Sequence, residues 1–420
     1  MRTMAPTLGA IGWEQRKKDE EDVDHVLAGF GHTHMLTVHF AVLALTRLLI
    51  STTLGYVLLA AWRAHQTNAP QKAGCVFAPP VSVLKPLCGD EPNLYENLKS
   101  FFVLDYPNYQ IVFGVCDPAD PALQIVRRLQ EEFPSRDVRL VIDPHTHGMN
   151  GKSSNLINIM EGASSDVFVV ADSDINVPKN YLARVVSHLA LPDVGAVTCP
   201  YSAYPAVPTF ASRLACMQIN DWFLPSILVA RAVRRVDFCM GSTIAIRREA
   251  LDAIGGFWAL RDVLADDYFL GRALVERGYR IVLSECHVQT VVAEAGFSDV
   301  LRHELRWART IRTVRPVGFA GMFLTNTFSM CALSGLMLIV TGQGLASGIA
   351  TVSVGALARL SLHREVKNRF GAPSISGWLL PVRDFMSLGV WVASFFSREV
   401  TWRGRTLSVD HHGMLLSEVD

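Results

Sequence analysis

The chain has 420 residues, half of them apolar and 19% charged, and its 39 basic side chains match its 39 acidic ones. The mean hydropathy of +0.24 is too high for a wholly soluble enzyme and too low for a protein made only of membrane spans. The balanced charge gives no indication of nucleic acid as a partner. We therefore predict a soluble domain joined to a few membrane segments.

The N-terminal part of the chain divides into a polar and an apolar stretch. Residues 1–35 contain the run EQRKKDEEDVDH and are predicted to be disordered. Residues 36–63 are apolar over the length of a transmembrane helix. Arg47 interrupts this stretch, and a long arginine side chain is tolerated near a membrane interface. A span is favoured over the alternative, a buried helix of a soluble protein.

Between residues 78 and 316, short β-branched runs alternate with helical patterns such as PALQIVRRLQEEF. This alternation predicts an α/β domain with βαβ units and a mostly parallel mixed sheet. The strand-like runs are residues 81–87, 109–117, 138–143 and 166–174. Asp117 ends the second run, and Asp172 and Asp174 end the fourth. Because ligands bind beyond the carboxyl ends of parallel strands, these three carboxylates are predicted to lie at one edge of the sheet.

The C-terminal part is apolar again. Residues 317–362 predict two transmembrane helices, over 319–340 and 344–360. Residues 363–420 predict a basic loop, an apolar segment over 377–396 and a tail. That segment contains Arg383 and Asp384 and has basic residues on both sides, so a re-entrant or membrane-associated helix is favoured over a span. The same rule on basic flanks places residues 64–316 in the cytosol.

The Asp-x-Asp pattern at a strand end is the central observation. Asp172 and Asp174 follow the buried run VFVV, and two carboxylates at that spacing can bind one hard divalent cation, Mg²⁺ or Mn²⁺. The cation would then bridge to phosphate oxygens of a substrate. A solvated turn in which Asp174 caps the next helix is the alternative.

Two further stretches are each open to a functional and a structural interpretation. In GMNGKSSNLIN, Lys152 stands at a helix start, where a diphosphate would be favourable, but an ordinary capped helix explains the pattern equally well. In VLADDYFLGRALVERGYRI, Asp266 and Asp267 open an amphipathic helix, where acidic residues are favourable in any case. The functional interpretation makes one of them a general base that takes a proton from a hydroxyl.

A basic helix precedes the C-terminal membrane segments. In RHELRWARTIR, Arg306 and Trp307 either close over an active site or anchor the chain to anionic lipid. The order of features along the chain is Asp, Asp-x-Asp, an acidic pair, Arg-Trp and then membrane. A likeness to a known family is carried by five stretches of the sequence: VVADSDINV, CMGSTIAIRREAL, ADDYFLGRALVERGYRI, LRWART and VTWRGRTL. Together they resemble the inverting glycosyltransferases of family 2 and its relatives, in particular the ceramide glucosyltransferases and bacterial hopanoid-associated glycosyltransferases.

This resemblance implies a GT-A domain over residues 78–316, with a Rossmann-like sheet, that uses a UDP-sugar. It places Asp117 near the uracil and ribose, Lys152 at the diphosphate, Asp172 on the sugar nucleotide and Asp174 on the metal. Gly241, Ser242 and Asp266 would shape the pocket shared by acceptor and donor, and Asp267 would be the catalytic base. Arg306 and Trp307 match the family's Arg-Trp motif, with a donor-binding role. The first position of that motif is His303 instead of Gln or Arg, and its role is left open.

The implied function is transfer of one hexose or N-acetylhexosamine from a UDP-sugar to the hydroxyl of a membrane lipid, ceramide-like or hopanoid. The implied location is a bacterial inner membrane, with the catalytic domain in the cytosol. A processive polysaccharide synthase shares these motifs but needs more spans around a channel, so a single transfer is favoured. A catalytically inactive membrane protein that binds nucleotide sugar or lipid is the remaining alternative.

Overall fold

The computed structural model describes residues 8–67, 77–397, 399–402, 405–410 and 413–418. Its helices are α1 (Leu8–Gln66), α2 (Leu94–Phe102), α3 (Ala122–Glu132), α4 (Gly151–Ile159), α5 (Tyr181–Val186), α6 (Phe210–Gln218), α7 (Leu224–Val233), α8 (Arg248–Ala253), α9 (Asp266–Glu276), α10 (Phe297–Val314), α11 (Pro316–Gly321), α12 (Thr327–Val340), α13 (Leu345–Phe370) and α14 (Leu380–Ala393). Its strands are β1 (Val81–Pro86), β2 (Tyr109–Val115), β3 (Asp137–Ile142), β4 (Val167–Val170), β5 (Ile175–Asn176), β6 (Val194–Thr198), β7 (Tyr201–Pro205), β8 (Ile244–Arg247), β9 (Arg280–Leu283), β10 (Val288–Val292), β11 (Glu399–Trp402), β12 (Arg405–Val409) and β13 (Leu415–Glu418).

The central sheet has seven strands in the order β3-β2-β1-β4-β8-β6-β9. Strands β1 to β4 are parallel to one another, and β9 is parallel to β6. Strand β8 runs antiparallel to both of its neighbours, β4 and β6. The predicted α/β class with a mostly parallel mixed sheet is confirmed.

Both faces of the inner strands β1, β2, β4 and β6 are buried, which explains why these strands read as continuous apolar runs, whereas the edge strand β3 is partly exposed. In β4, Val167 and Val169 pack into the core on one face, and Phe168 and Val170 pack into the core on the other. This alternation follows from the two-residue period of side chains along a strand. Strand β4 ends at Val170, and the chain reaches the edge of the sheet at Asp172.

Two smaller sheets lie beside the central one. Strand β5, directly after Asp174, pairs with β10, which in turn pairs with β7. The third sheet, β11-β12-β13, is antiparallel. It docks on the loop before α9, where Leu264 N–H donates to Gly413 O at 2.9 Å and Leu415 N–H donates to Asp262 O at 2.8 Å. The C-terminal tail thus supports the segment that leads to Asp266 and Asp267.

Within the described residues, three stretches are long and apolar enough to cross a membrane: Leu36–Gln66, Leu345–Phe370 and Gly377–Phe396. Pro316–Thr325 and Thr327–Val340 pass the same test only together, and they are bent by 69° at the break between them. The transmembrane helix predicted over 319–340 is therefore interrupted in the structure at Asn326. Pro316 begins the first helix, and the backbone is no longer helical at Asn326.

Two other predictions differ from the structure. Helix α1 begins at Leu8, so residues 8–35 are helical instead of disordered, and residues 1–7 lie outside the described residues. Helix α13 continues to Phe370, so the basic residues predicted to form a loop extend the preceding helix. They are His363, Arg364, Lys367 and Arg369.

The charged residues in the last apolar segment are buried within the protein. Arg383 is fully buried, and its two terminal nitrogens each lie 2.6 Å from a carboxylate oxygen of Glu304 on α10. Asp384 is also buried and accepts from Arg359 on α13 at 2.7 Å. A buried charge is tolerated when it is paired and hydrogen-bonded, so these two residues join α14 to its neighbouring helices and do not face lipid.

Candidate active site

Lys152 and Asp172 meet at the carboxyl edge of the sheet. The Asn150 side chain caps α4 by accepting from Ser153 N–H at 3.0 Å, which fixes the first turn that carries Lys152. Lys152 Nζ lies 2.5 Å from Asp172 Oδ1 and 3.9 Å from Asp266 Oδ2. Burial alone would lower the pKa of Lys152, but the nearby carboxylates outweigh it and raise the pKa. Lys152 is therefore a fixed positive charge at this edge.

Gly241 lies between the charged groups of the site. Its N–H donates to Asp267 Oδ2 at 2.8 Å. A methyl group on Gly241 would lie 3.0 Å from Asp172 Oδ2, 3.1 Å from Lys152 Nζ and 3.6 Å from Asp267 Oδ2. The structure thus brings three predicted site residues, Lys152, Asp172 and Asp267, around a fourth, Gly241, where only a glycine leaves the space open.

The substitution Gly241→Ala is expected to lower the transfer rate by about a hundredfold, because the added methyl group displaces Lys152, Asp172 or the bound substrate by a few tenths of an ångström or more. Steady-state rates measure the effect. Gly389→Ala on α14 is the control, since no atom lies within 4 Å of the methyl group it adds. Equal rates for the two variants would contradict the central placement of Gly241.

Asp267 has the environment of a general base. It stands in the first turn of α9, and Tyr268 N–H donates to its Oδ1 at 2.8 Å. Burial and the adjacent Asp266 carboxylate raise its pKa to about 6, although Lys152 and the two N–H donors act in the opposite direction. A carboxylate with a pKa near the working pH is suited to accept a proton.

Asp174 faces the second sheet. Thr290 on β10 donates to its Oδ2 at 2.5 Å. Burial, and after it the charge of Asp172, raise the pKa of Asp174 to about 7, so additional positive charge would favour the ionised form of this carboxylate. A divalent cation would supply that charge.

The two carboxylates fit such a cation if substrate phosphates supply further oxygen ligands. No cluster of three or more His, Cys, Asp or Glu side chains suited to a metal occurs among the described residues. Two carboxylates plus substrate phosphates and water form the usual magnesium site of a phosphate-handling enzyme. Asp172 and Asp174 would therefore hold the cation only together with the substrate.

Two residues that the sequence analysis missed support the loop that carries Asp172 and Asp174. Lys85 on β1 is fully buried, and its Nζ donates to the Asp172 carbonyl oxygen at 2.5 Å and lies 4.0 Å from the Phe101 ring centroid. Burial lowers the pKa of Lys85 to about 7. Glu91 accepts from Ser173 Oγ at 2.5 Å. The available sequence signal for Lys85 was a lysine inside the apolar run VSVLKPL.

Asp117 and Ser242 make local contacts. Asp117 is exposed beyond the end of β2, and its Oδ1 accepts from Ala119 N–H at 2.8 Å. Because β1 separates β2 from β4, Asp117 is about 10 Å from the Asp172 strand along the sheet edge. Ser242 is buried, and its hydroxyl donates to Cys199 O at 3.3 Å. The structure places Asp117 on the predicted edge and directs the Ser242 hydroxyl into the protein.

His303, Arg306 and Trp307 lie on α10. His303 Nδ1 pairs with Glu294, and the charge of Arg306 also acts on Glu294. The Trp307 ring packs on the His303 ring with centroids 4.9 Å apart. The partner of His303 is thus a carboxylate of the segment after β10, which sequence spacing did not indicate.

A row of aromatic rings extends from Trp307 on α10. The rings of Trp307 and Phe223 lie 5.9 Å apart, and those of Phe223 and Tyr201 lie 4.8 Å apart. Burial raises the pKa of Tyr201 well above its usual value, and the charges of Asp267, Asp174 and Asp172 raise it further. The row Tyr201–Phe223–Trp307 joins β7 to α10.

The family model described as glycosyl transferase family 21 matches residues 42–415, which is most of the chain. The chain belongs to glycosyl transferase family 21. The predicted resemblance and the assignment as an enzyme, a glycosyltransferase, are thereby confirmed. The Arg-Trp helix α10 and the membrane segments after it lie inside the matched range.

Curated relatives match this glycosyltransferase over different shares of its length. Ceramide glucosyltransferase 3 of Caenorhabditis elegans is 25% identical over 80% of this chain and 74% of the relative. Ceramide glucosyltransferase of Gibberella zeae is 30% identical over 31% of this chain and 27% of the relative. Beta-monoglucosyldiacylglycerol synthase of Synechocystis sp. is 25% identical over 59% of this chain and 53% of the relative.

Among solved structures, the mannosyltransferase PcManGT from Pyrobaculum calidifontis, in complex with GDP-Man and Mn2+, is similar to this chain. It is 21% identical, with 84% of this chain and 98% of that chain covered and a TM-score of 0.48.

Proposed function

We propose that this glycosyltransferase moves one hexose from a UDP-sugar to a hydroxyl group of a membrane lipid, with inversion at the anomeric carbon. The observation that carries the proposal is the arrangement of Lys152, Asp172 and Asp267 around the open position at Gly241. One side of this space presents a cation for a diphosphate, and the other presents a base for a hydroxyl. The relatives named for ceramide and for diacylglycerol support a lipid as the acceptor.

The chemistry is a single displacement. The acceptor hydroxyl gives its proton to Asp267 while its oxygen forms a bond to the anomeric carbon. The bond from that carbon to the diphosphate oxygen breaks, and the nucleoside diphosphate leaves. Lys152 stabilises the charge that grows on the leaving group. A bound Mg²⁺ or Mn²⁺ would add positive charge on the diphosphate. One displacement from the far face inverts the configuration, so no covalent sugar–enzyme intermediate is needed.

We infer further roles from the resemblance to the inverting glycosyltransferases. Asp117, at the outer end of the edge, contacts the uridine, and Arg306 and Trp307 close over the donor and acceptor. The three candidate spans and the bent pair support attachment to a membrane. The basic flanks of the apolar segments support a cytosolic catalytic domain. The resemblance to bacterial lipid glycosyltransferases supports a bacterial inner membrane as the location.

The function is tested by incubating membranes that contain the enzyme with labelled UDP-sugars and a panel of ceramide, diacylglycerol and hopanoid acceptors. One labelled hexose on one lipid class is the expected product, with the anomeric configuration opposite to that of the donor. A ladder of longer saccharides would support a processive synthase instead, and a product with retained configuration would exclude the single displacement.

The rate is expected to depend on the ionisation of Asp267. Because this carboxylate has a pKa of about 6 and acts only when ionised, kcat/KM should fall about tenfold per pH unit below pH 6. Asp266→Asn removes a charge that raises this pKa, so the acidic limb should move to lower pH. A profile that is flat between pH 5 and pH 8, or that is unchanged in Asp266→Asn, would refute the assignment.

Removal of divalent cations should abolish transfer, and added Mn²⁺ or Mg²⁺ should restore it. Because Asp174 supplies one of two protein carboxylates, Asp174→Asn is expected to raise the metal concentration for half-maximal rate by about tenfold or more. Asp252→Asn, an exposed change on α8, serves as the control. Full activity in a chelator would show that Lys152 suffices as the cation of the site.

A further inference from the structure

The C-terminal sheet β11–β13 encloses a small apolar core of residues that are at most 5% exposed: Val400, Leu407, Val409 and Leu415. Two side chains from outside the tail pack against this core. One is Met149, which lies three residues before Lys152. The other is Leu264, which lies three residues before Asp267. The tail therefore contacts both chain segments that lead to the two charges of the proposed reaction.

The two segments also hold each other directly. Asn150 N–H donates to Arg261 O at 2.7 Å, and Asn150 Nδ2 donates to Val263 O at 2.9 Å. Met149 N–H donates to Asp262 Oδ1 at 3.0 Å. Because Asn150 also caps α4, these three hydrogen bonds join the first turn of α4 to the loop before α9.

Gly148 shows how closely the two segments approach. A methyl group on this residue would lie 2.5 Å from Arg261 O and 2.5 Å from Asp262 Oδ1. The Arg261 oxygen belongs to the backbone and cannot turn away as the end of a long side chain can. A contact of this kind fixes the position of one segment relative to the other, and with it the spacing of the groups they carry.

Asp262 is the residue at which the tail and both segments meet. Its carboxylate accepts from Met149 N–H, and its backbone oxygen accepts from Leu415 N–H at 2.8 Å. The next residue, Val263, forms an antiparallel bridge with Met414 of the tail. Asp262 thus bonds to the segment before α4 with its side chain and to the tail with its backbone.

The other end of the tail is held by α10. Arg309 Nη1 donates to Glu399 O at 2.7 Å, and Arg312 Nη2 donates to Ser397 O at 2.7 Å. Arg312 also donates to Ser394 O. Two arginines of the basic helix therefore bind the backbone that leads into β11. The tail is fixed to α10 at one end and to the loop before α9 at the other.

We propose that the C-terminal sheet is a clamp that positions Lys152 relative to Asp267 for transfer. Asp262 and Leu415 are its positioning residues. Lys152 acts on the leaving diphosphate and Asp267 on the attacking hydroxyl, so their spacing must match the two ends of one displacement. A misplacement of about 1 Å can lower a rate by about a hundredfold. This inference rests on the proposed transfer reaction and adds positioning residues to it.

A matched pair of substitutions in the tail tests the clamp. Leu415→Ala removes part of the core on which Met149 and Leu264 pack. Leu416→Ala makes the same change at a side chain that is 47% exposed, and it should match the wild-type enzyme. In Leu415→Ala, kcat should fall about tenfold or more, because the spacing of the two charges changes. The KM for the UDP-sugar should stay within about threefold of the wild-type value, because both charges are kept.

The conservative variant Leu415→Met should recover most of the rate, since it refills the core with a side chain of similar volume. Equal kcat values for Leu415→Ala and Leu416→Ala would overturn the proposal.

A second pair of variants separates the hydrogen bond of Asp262 from its charge. Asparagine keeps a side-chain oxygen that can accept from Met149 N–H, whereas alanine has none. Asp262→Ala should therefore lower kcat about tenfold, and Asp262→Asn should stay within about threefold of the wild-type rate. Equal losses in the two variants would refute positioning through this hydrogen bond.

Hydrogen exchange of the full-length protein reports on the clamp without any substrate. In Leu415→Ala, the amide protons of Met149 and Asn150 should exchange at least about tenfold faster than in Leu416→Ala, because they donate to the loop that the tail holds. Unchanged exchange would overturn the clamp. If the wild-type enzyme glycosylates no lipid at all, the proposed function fails, and exchange still decides whether the tail holds the two segments. If the enzyme is active and Leu415→Ala is equally active, only the clamp fails.

Discussion

Replacement of Asp267 by asparagine should reduce kcat for hexose transfer by about 10² to 10⁴-fold and leave the KM for the UDP-sugar nearly unchanged. Asparagine has the size of aspartate but cannot accept the proton of the acceptor hydroxyl. Gly241 N–H and Tyr268 N–H each donate to one oxygen of Asp267, and one of these two hydrogen bonds can still form to the asparagine oxygen and position the side chain. Single-turnover rates together with UDP affinity separate the chemical step from donor binding.

The control for this change is Asp252→Asn, which makes the same replacement on an exposed part of α8. Its kcat should equal that of the wild-type enzyme. If Asp267→Asn kept transfer within a few-fold of the wild-type rate, another group would be the base. If it lost UDP binding as well, Asp267 would have to be placed in the donor site.

The second large effect is expected at Arg383, as a loss of stability. Arg383→Met leaves Glu304 buried without its cation, and breaking a buried pair in this way costs about 3 to 5 kcal/mol of unfolding free energy. The double variant Arg383→Met/Glu304→Leu should recover most of that loss, because two apolar side chains need no partner. Thermal unfolding of the detergent-solubilised protein measures both.

This prediction also has a matched control and a functional readout. Arg364→Met removes an exposed arginine from α13 and should change stability by no more than about 0.5 kcal/mol. Glu304 shares α10 with His303, Arg306 and Trp307, so the single Arg383 variant should also lower the transfer rate. Similar melting temperatures for Arg383→Met and Arg364→Met would contradict the importance of the buried pair.

Much of the arrangement at the carboxyl edge of the sheet was predictable, because it depends on the order of strands and helices along the chain. Strands that alternate with helices build a parallel sheet, and residues that end parallel strands come to the same edge. Asp172 and Lys152, predicted from strand-end and helix-start patterns, are in contact in the structure. Asp267 and Gly241 are joined by a hydrogen bond between residues 26 positions apart. The catalytic and donor-binding roles of these residues stay predictions.

The membrane part was predicted less well, since hydropathy measures composition and not the path of the backbone. An apolar run over 319–340 gave no sign of the break at Asn326, because the residues on both sides are equally compatible with lipid. The polar run before residue 36 suggested disorder, although local helix formation does not require an apolar sequence.

The sequence alone determined the α/β class, the order of the acidic and basic motifs and the presence of apolar segments, because each depends on local pattern and spacing. The tertiary structure decided which charges are partners. Lys85 reaches the Asp172 carbonyl across 87 positions, and Arg383 reaches Glu304 across 79. It also decided the raised pKa values of Asp174 and Asp267, which depend on burial and on neighbouring carboxylates. Such long-range contacts leave no periodic signal in a single sequence, so only the folded chain shows them.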